Sequence, residues 1–407
     1  MPKLLQIAVE GNRGSTGTIA EAIGLLLMQK GWESYIAHGR FPRPSKSQII
    51  RIGSDFDVLL HGLETRLFDR HCMGSRKATR KLINQIQDIK PDIIHLHHLH
   101  GYYINIKILF DYLSSTNVPV IWTFHDCWSF TGHCTHFDYV GCEKWKTECH
   151  NCEQKNEYPK SLLLDRSRQN FLDKKRIFNS LNNLTIVPVS NWLESKVKES
   201  FLSSYPIKVI KNGVDLNIFY PKKSKESINN LYNLNNRFII LGVASTWGKR
   251  KGLQDFIELN TYLNNKEFVI LLVGLSKTQI KDIPNTIVGI DRTDNVSQLA
   301  DLYSVADVFV NPTLEDSFPT TNLESLACGT PIITYKTGGS VESVCEDTGI
   351  IVDKSNTLGL LDAINIIRKK GKGYYEKNCR KFAEANFNNK VKFNDYIKLY
   401  EDINKNN

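Results

Sequence analysis

Short apolar runs rich in Val and Ile recur along the chain at residues 4–9, 34–37, 92–96, 118–124, 185–188 and 207–210. They recur again at 238–244, 268–273, 307–310 and 331–335. Continuous runs of this length predict strands buried on both faces, as in a parallel sheet. The longer mixed stretches at 18–28, 76–89, 158–181, 253–263, 296–306, 357–370 and 391–403 predict helices. Strand and helix therefore alternate, the pattern of an α/β fold. The alternation breaks at the polar, Asn-rich residues 216–236, which predict a linker. This order predicts two Rossmann-like domains facing across a cleft, residues 1–215 and 237–385.

Residues 307–335, DVFVNPTLEDSFPTTNLESLACGTPIITY, join two of these strands through an acidic loop and a short helix. Pro319 suits a first helical turn, where its missing N–H costs nothing, and Gly329 with Pro331 makes a natural stop. Thr320, Thr321 and Asn322 then sit where free helix N–H groups meet the carboxyl end of the first strand. Open α/β sheets hold phosphorylated ligands there. Asp316 before the helix and Glu324 one turn into it would repel a phosphate but accept hydrogen bonds from hydroxyl groups. A phosphate between hydroxyl-bearing groups describes a nucleotide sugar.

The same stretch resembles the acidic-x7-acidic motif of GT-B glycosyltransferases, in particular the large retaining family 4, the group 1 glycosyltransferases. Asp316 stands where that family has its first Glu, Glu324 keeps the second, and Ala327, Cys328, Gly329, Thr330 and Pro331 follow as in the family.

At 407 residues the chain exceeds what one core usually supports, in keeping with two domains. Its formal charge of +9 suits phosphate-rich substrates or an anionic membrane surface, and a surplus of solvated lysines accounts for it equally well. The apolar segment at the amino end is too short for a signal peptide, and no apolar run is long enough to span a membrane. A cytoplasmic protein, in peripheral contact with the inner membrane, is expected. No nucleic-acid partner is expected.

Gly11, Gly14 and Gly17, with Ser15 and Thr16, open a loop after the first strand that is built for a phosphate or a sugar. Its GxxGxxG spacing is not the dinucleotide fingerprint, and the next strand leads to His38, Gly39 and Arg40 with no acid for a ribose. NAD binding is therefore disfavoured. His95, His97, His98 and His100 follow the strand at 92–96 on alternating faces, which predicts a cleft edge rather than one metal site. The strand at 118–124 delivers His125 and Asp126 at its carboxyl end.

Five of the nine cysteines fall within residues 127–152. Cys134, Cys142, Cys149 and Cys152 there follow a Cys-x7-Cys-x6-Cys-x2-Cys spacing, with thiolates enough for a tetrahedral structural zinc. Free reduced thiols are the other reading, and disulfides are not expected in a reducing compartment. In the second half Lys249, Arg250 and Lys251 lie at a strand's carboxyl end just before a helix, a diphosphate clamp by charge and place.

The resemblance covers essentially the whole chain and implies further roles. Lys251-Gly252 matches the family's Gly-Arg-x(3 to 5)-Lys-Gly, but Thr246 and Trp247 occupy the Arg place. Arg250 must then reach from beside the lysine, with Lys249 sharing its role. His125 matches the family His that reaches the donor sugar near its reacting carbon. Gly14, Ser15, Thr16 and Gly17 match the loop bordering the cleft between donor and acceptor, and Gly338 with Gly339 match a Gly-Gly-x-x-Glu loop that approaches the donor. Residues 211–215 resemble the interdomain signature, and residues 386–407 would cross back to the first domain, as in GT-B proteins. The Cys-bearing insertion resembles that of a branch associated with exopolysaccharide, capsule and O-antigen assembly.

The implied activity is transfer of a sugar from a nucleotide-diphosphate sugar to a glycan or lipid-linked acceptor, with retention and without a catalytic metal. Glu324 would hold the ribose, Lys251 and Arg250 the diphosphate, Asp316 the sugar hydroxyls, and Thr320, Thr321 and Asn322 would complete the donor site. Asp55-Phe56-Asp57 lies far from any glycine loop, so no Asp-x-Asp metal clamp is apparent. A non-catalytic sugar- or nucleotide-binding regulator and a sugar-nucleotide epimerase on the same fold are the alternatives. Membrane contact through basic residues of the first half is expected for a lipid-linked acceptor, without an amphipathic helix clear enough to name.

Overall fold

The computed structural model describes residues 1–222 and 225–405, so positions 223 and 224 of the expected linker lie outside the described residues. The chain divides into two compact units, Met1–Lys211 together with the chain from Phe393, and Asn212–Lys392. The first unit contains β1 (Lys3–Glu10), β2 (Glu33–Arg40), β3 (Gln48–Arg51), β4 (Ile93–Leu96), β5 (Val120–Phe124) and β6 (Leu184–Pro188). They form one parallel sheet in the order β3-β2-β1-β4-β5-β6.

The second unit contains β7 (Phe238–Val243), β8 (Phe268–Val273), β9 (Ile287–Ile290), β10 (Val308–Asn311), β11 (Ile332–Tyr335) and β12 (Gly349–Val352). Its sheet, also parallel, runs β12-β11-β10-β7-β8-β9. Counted within each unit, both orders are 3-2-1-4-5-6, the doubly wound arrangement. The strand order reverses between β1 and β4 in one unit and between β7 and β10 in the other. Ligands of such sheets bind outside the carboxyl ends at that reversal.

The central strands form where the sequence is continuously apolar: β4, β5, β8, β10 and β11 are buried along their whole length. The core of the first unit is completed by the far end of the chain. Phe393, Tyr396, Ile397, Leu399 and Tyr400 of the last helix, Asn389–Lys405, pack with Leu4, Ile23, Leu27, Ile93, Ile121 and Val187. The Tyr400 hydroxyl meets His95 Nδ1 at 2.7 Å and the Tyr396 hydroxyl meets Thr123 Oγ1 at 3.0 Å. His95 is thus a satisfied core histidine, not part of a cleft edge.

Several elements depart from the sequence expectation. The first long helix begins at Gly14 and runs to Gln29, so Gly14 to Gly17 form its first turn rather than a free loop. A Cβ on Gly17 would stand 2.7 Å from the Glu10 carbonyl oxygen, so only glycine lets this turn close on β1. Residues 207–210 form no strand; Ile207 makes a single bridge to Ile186. The helix expected over 158–181 spans Ser167–Phe178, because Pro159 disfavours helix at the residue before it and Asp165 Oδ1 accepts the Ser167 N–H at 2.8 Å. A helix, Lys225–Tyr232, occupies part of the expected linker.

Helices also stand where the sequence pattern predicts none, at Ile106–Ser114, Lys277–Asp282, Lys372–Phe387 and Asp55–Phe68, the last of which bears on function. The capping box of Asp55–Phe68 is closed by Asp57 N–H to Ser54 Oγ, 3.2 Å, and Ser54 N–H to Asp57 Oδ2, 2.8 Å. The Asp-x-Asp pair is therefore a helix start. The helix buries His61 and Thr65 while Phe56, Leu59, Leu60 and Leu63 face outward. The first half thus carries an amphipathic helix whose apolar face is uncovered.

Candidate functional site

In the second unit three loops meet at the reversal between β7 and β10. After β7 the buried Trp247 donates its indole N–H to the Val273 carbonyl at 2.8 Å, which holds the loop against the neighbouring strand. The chain then makes a short turn, Lys249–Lys251, before the helix Leu253–Tyr262. The loop after β10 is stitched to that turn: Leu314 N–H donates to the Arg250 carbonyl at 2.8 Å, and Arg250 Nη1 donates to the Glu315 carbonyl at 3.3 Å. Lys251 Nζ donates to Asp316 Oδ2 at 2.5 Å. Lys249 and Arg250 are exposed beside it.

Asp316 is also where the third loop attaches. Its carbonyl accepts the Gly339 N–H at 3.0 Å, and its Oδ1 accepts the Phe318 N–H at 3.2 Å. Gly338 has φ +47°, and a Cβ there would lie 2.0 Å from that same carbonyl oxygen. The helix Thr320–Ala327 starts next to the pair, with Thr320 and Thr321 half-buried in its first turn. An ammonium, a guanidinium and helix N–H groups thus gather at one strand-end crevice, which is what a diphosphate requires.

Two of the expected donor residues differ in what their side chains do. Asn322 is buried; its Oδ1 accepts from Asn311 Nδ2 and its Nδ2 donates to Ser343 Oγ, both at 2.8 Å, so its amide is taken up by packing. Glu324 accepts a hydrogen bond from the Tyr303 hydroxyl at 3.0 Å, and burial pushes its carboxyl up to about 7. Tyr303 carried no motif and could be found only from the packing.

In the first unit a second constellation sits at the reversal between β1 and β4. His97 Nδ1 meets His125 Nε2 at 3.2 Å, and His97 Nε2 meets Gln6 Oε1 at 3.2 Å. Burial, followed by the His98 and His97 imidazoles, lowers the His125 pKa well below the usual value, so this ring is neutral. Thr16 Oγ1 lies 3.3 Å from His98 Nδ1, which draws the glycine turn to the same cluster. His100 Nε2 meets Asp126 Oδ2 at 2.7 Å, and His98 Nε2 stands 3.5 Å from that oxygen. Burial opposes the charge of Asp126, yet the His100 and His98 imidazoles hold its carboxyl below the ordinary range. Alternation along a strand did not foresee this, because β4 ends at Leu96 and the chain turns before His98 and His100.

The Cys-rich segment packs beside helix Ser167–Phe178, where the buried Lys174 donates to the carbonyls of Trp128, 2.7 Å, and Thr131, 3.0 Å. Cys149 Sγ accepts the Gly132 N–H at 3.2 Å. A hydrogen bond from Cys134 lowers the Cys152 thiol to about 7. Among the described residues, the trio whose metal-ligating atoms all lie within 4.8 Å of one another is His98, His100 and Asp126; the four cysteines are not drawn that close.

Two family models match this chain: Glycosyltransferase Family 4 over residues 17–218 and Glycosyl transferases group 1 over residues 237–370. The putative colanic acid biosynthesis glycosyl transferase WcaC of Escherichia coli K12 is 29% identical over 195 residues, 46% of this chain and 45% of that protein. The N,N'-diacetylbacillosaminyl-diphospho-undecaprenol alpha-1,3-N-acetylgalactosaminyltransferase of Campylobacter jejuni is 26% identical over 223 residues, 50% of this chain and 57% of that one. The chain thus spans about half the length of the curated relatives it matches. Among solved structures, sucrose-phosphate synthase from Thermosynechococcus elongatus superposes with a TM-score of 0.75 over 100% of both chains at 18% identity, which shows a shared GT-B fold.

Proposed function

The chain belongs to the group 1 glycosyltransferases of family 4, and we propose that it transfers a sugar from a nucleotide-diphosphate sugar to a saccharide acceptor, with retention. The observation that carries this reading is the Lys251–Asp316 pair at the β7/β10 reversal, stitched to Arg250 and to the Gly338-Gly339 loop. On donor binding the ammonium turns to the diphosphate, which frees the Asp316 carboxylate to accept from sugar hydroxyls.

As the bond from the anomeric carbon to the β-phosphate oxygen breaks, negative charge grows on the leaving diphosphate. Fixed cations and helix N–H groups then bind the transition state more tightly than the ground state. Because Lys251 and Arg250 supply that charge, the clamp needs no divalent ion. The acceptor oxygen forms its bond on the same face and its proton passes to the departing phosphate. His125, neutral in its cluster, is the group we assign near the reacting carbon.

The pathway proposed is assembly of a surface polysaccharide, which the colanic acid biosynthesis named for one relative supports, while the name of another carries a diphospho-undecaprenol-linked acceptor. The acceptor is then a glycan or a lipid-linked saccharide, and the uncovered helix Asp55–Phe68 supports contact with a membrane. Leu59 and Phe56 on it are 67% and 65% exposed, and Leu163 in the adjoining loop is 65% exposed. Leu162 N–H donates to the Arg66 carbonyl at 2.7 Å, so loop and helix form one apolar surface, with Arg66 and Lys160 exposed at its side. Asp55 pairs with Arg51, and Asp57 caps the helix. Such a face suits an anionic bilayer.

The deciding experiment incubates the chain with a panel of nucleotide sugars, with and without saccharide acceptors, and identifies the products. Slow acceptor-free release of nucleoside diphosphate together with a new glycoside supports transfer. An isomerised donor without release points to an epimerase, and binding without turnover to a regulator; either outcome overturns the proposal.

A further inference from the structure

We infer that His98, His100 and Asp126 hold a divalent transition-metal ion in the first unit, at the carboxyl ends of β4 and β5. One ligating atom from each of the three residues lies within 4.8 Å of the others, and His98 Nε2 and His100 Nε2 stand 3.5 and 2.7 Å from Asp126 Oδ2. An ion at ordinary nitrogen and oxygen bond lengths of about 2.0–2.2 Å spans ligand atoms up to about 4.4 Å apart. The 3.5 and 2.7 Å separations from Asp126 Oδ2 therefore fit one ion, and a shift of a few tenths of an ångström in either imidazole suffices for the remaining pair. Hydrogen bonding alone leaves this cluster incomplete. His100 and Asp126 make an ordinary 2.7 Å contact, but His98 Nε2 is enclosed and no hydrogen bond reaches it. His98 Nε2, 3.5 Å from Asp126 Oδ2 but without a hydrogen bond, is costly to enclose, and a cation among the three ligands would satisfy it.

The outer contacts are those a metal site needs. With the ring protons on Nδ1, His98 donates to Thr16 Oγ1 at 3.3 Å and His100 donates to the Tyr158 hydroxyl at 3.1 Å. The other carboxylate oxygen, Asp126 Oδ1, accepts the Trp128 N–H at 3.0 Å. Every ligand is thus oriented by a second partner, with both Nε2 lone pairs left for the ion. Two imidazoles and one carboxylate favour a zinc-class ion over magnesium or calcium. Three protein ligands leave a position open for water or for an oxygen of a bound saccharide or phosphate. The ion would fasten the loop after β4 to the loop after β5. This reading is independent of the donor clamp, which lies in the other unit.

The test uses the full chain, stripped of metal and titrated with Co²⁺. A nitrogen- and oxygen-ligated ion gives visible d–d absorption without the near-ultraviolet thiolate charge-transfer band that the cysteines would produce. We expect one such equivalent per chain, a rise in melting temperature on loading, and loss of both in His98→Ala. Tyr158→Phe, which removes only the hydroxyl facing His100, should weaken Co²⁺ about 10-fold or more while the metal-free melt is unchanged. Failure of the wild-type chain to develop thiolate-free absorption would overturn the inference, as would wild-type affinity in both variants.

Discussion

Lys251 carries the largest single expectation at the scale of residues. Lys251→Ala should lower transfer by about 10²–10³-fold, the usual loss when one preorganised charge is taken from a transition state. The melting temperature should hardly move, since a partly exposed ion pair contributes about 1 kcal/mol or less. Asp316→Ala should relax discrimination among sugars while the nucleotide still binds; equal loss of both would contradict its role. Glu324 adds a pH signature. Its carboxyl is raised from 4.5 to about 7, so across that window the folded protein keeps a proton that the unfolded chain has released. Its contribution to stability is full below pH 4.5 and is lost as pH rises through about 7. If the ionised form holds the ribose, nucleotide affinity should strengthen over the same rise, and Glu324→Gln should flatten both profiles. Asp316, Glu324 and Lys251 were legible because they belong to short motifs at strand ends. Convergence of His98 and His100 on Asp126 was not, because it depends on how the chain turns after Leu96.

Elements show where periodicity suffices and where it fails. Central strands and the helices Arg76–Ile89 and Thr357–Lys370 stand where the apolar pattern puts them, since both strand faces or one helix stripe must be buried. The edge strand β3 was missed because QIIR is short and lies mostly exposed, so no hydrophobic pattern marks it. Helix Asp55–Phe68 eluded pattern reading for the opposite reason: its leucines recur as in a core helix, yet face outward. Leu59→Glu with Leu63→Glu should abolish co-sedimentation with anionic vesicles and leave the melt nearly unchanged, because exposed changes usually stay within about 0.5 kcal/mol. Retained sedimentation would remove this helix as the membrane contact. The Gly338 loop gives a further check. Gly338→Ala meets both a positive φ and the Asp316 carbonyl, so it should cost more than about 1 kcal/mol and weaken donor binding as Asp316 is displaced.

For the whole molecule, the end of the chain decides whether the first unit folds. Phe393, Tyr396, Ile397, Leu399 and Tyr400 are buried in its core, and each buried large side chain is worth about 1.5–3 kcal/mol. Their sum rivals the roughly 5–15 kcal/mol that holds a domain folded. Truncation after Lys392 should therefore leave Asn212–Lys392 protected in hydrogen exchange while Met1–Lys211 exchanges freely. The alternation of strand and helix in two halves, the buried central strands and the strand-end loops that bear the candidate donor residues were legible in the sequence alone, because local burial patterns and short motifs need no knowledge of distant partners. The strand order and the edge strands β3, β9 and β12 were not. Tertiary structure alone decided that the last helix closes the first core, that Leu59, Leu60 and Leu63 of Asp55–Phe68 stay exposed, and that two histidines and an aspartate come together. Each of these depends on which surfaces the folded chain brings together across long separations, and separation along the chain carries no record of that.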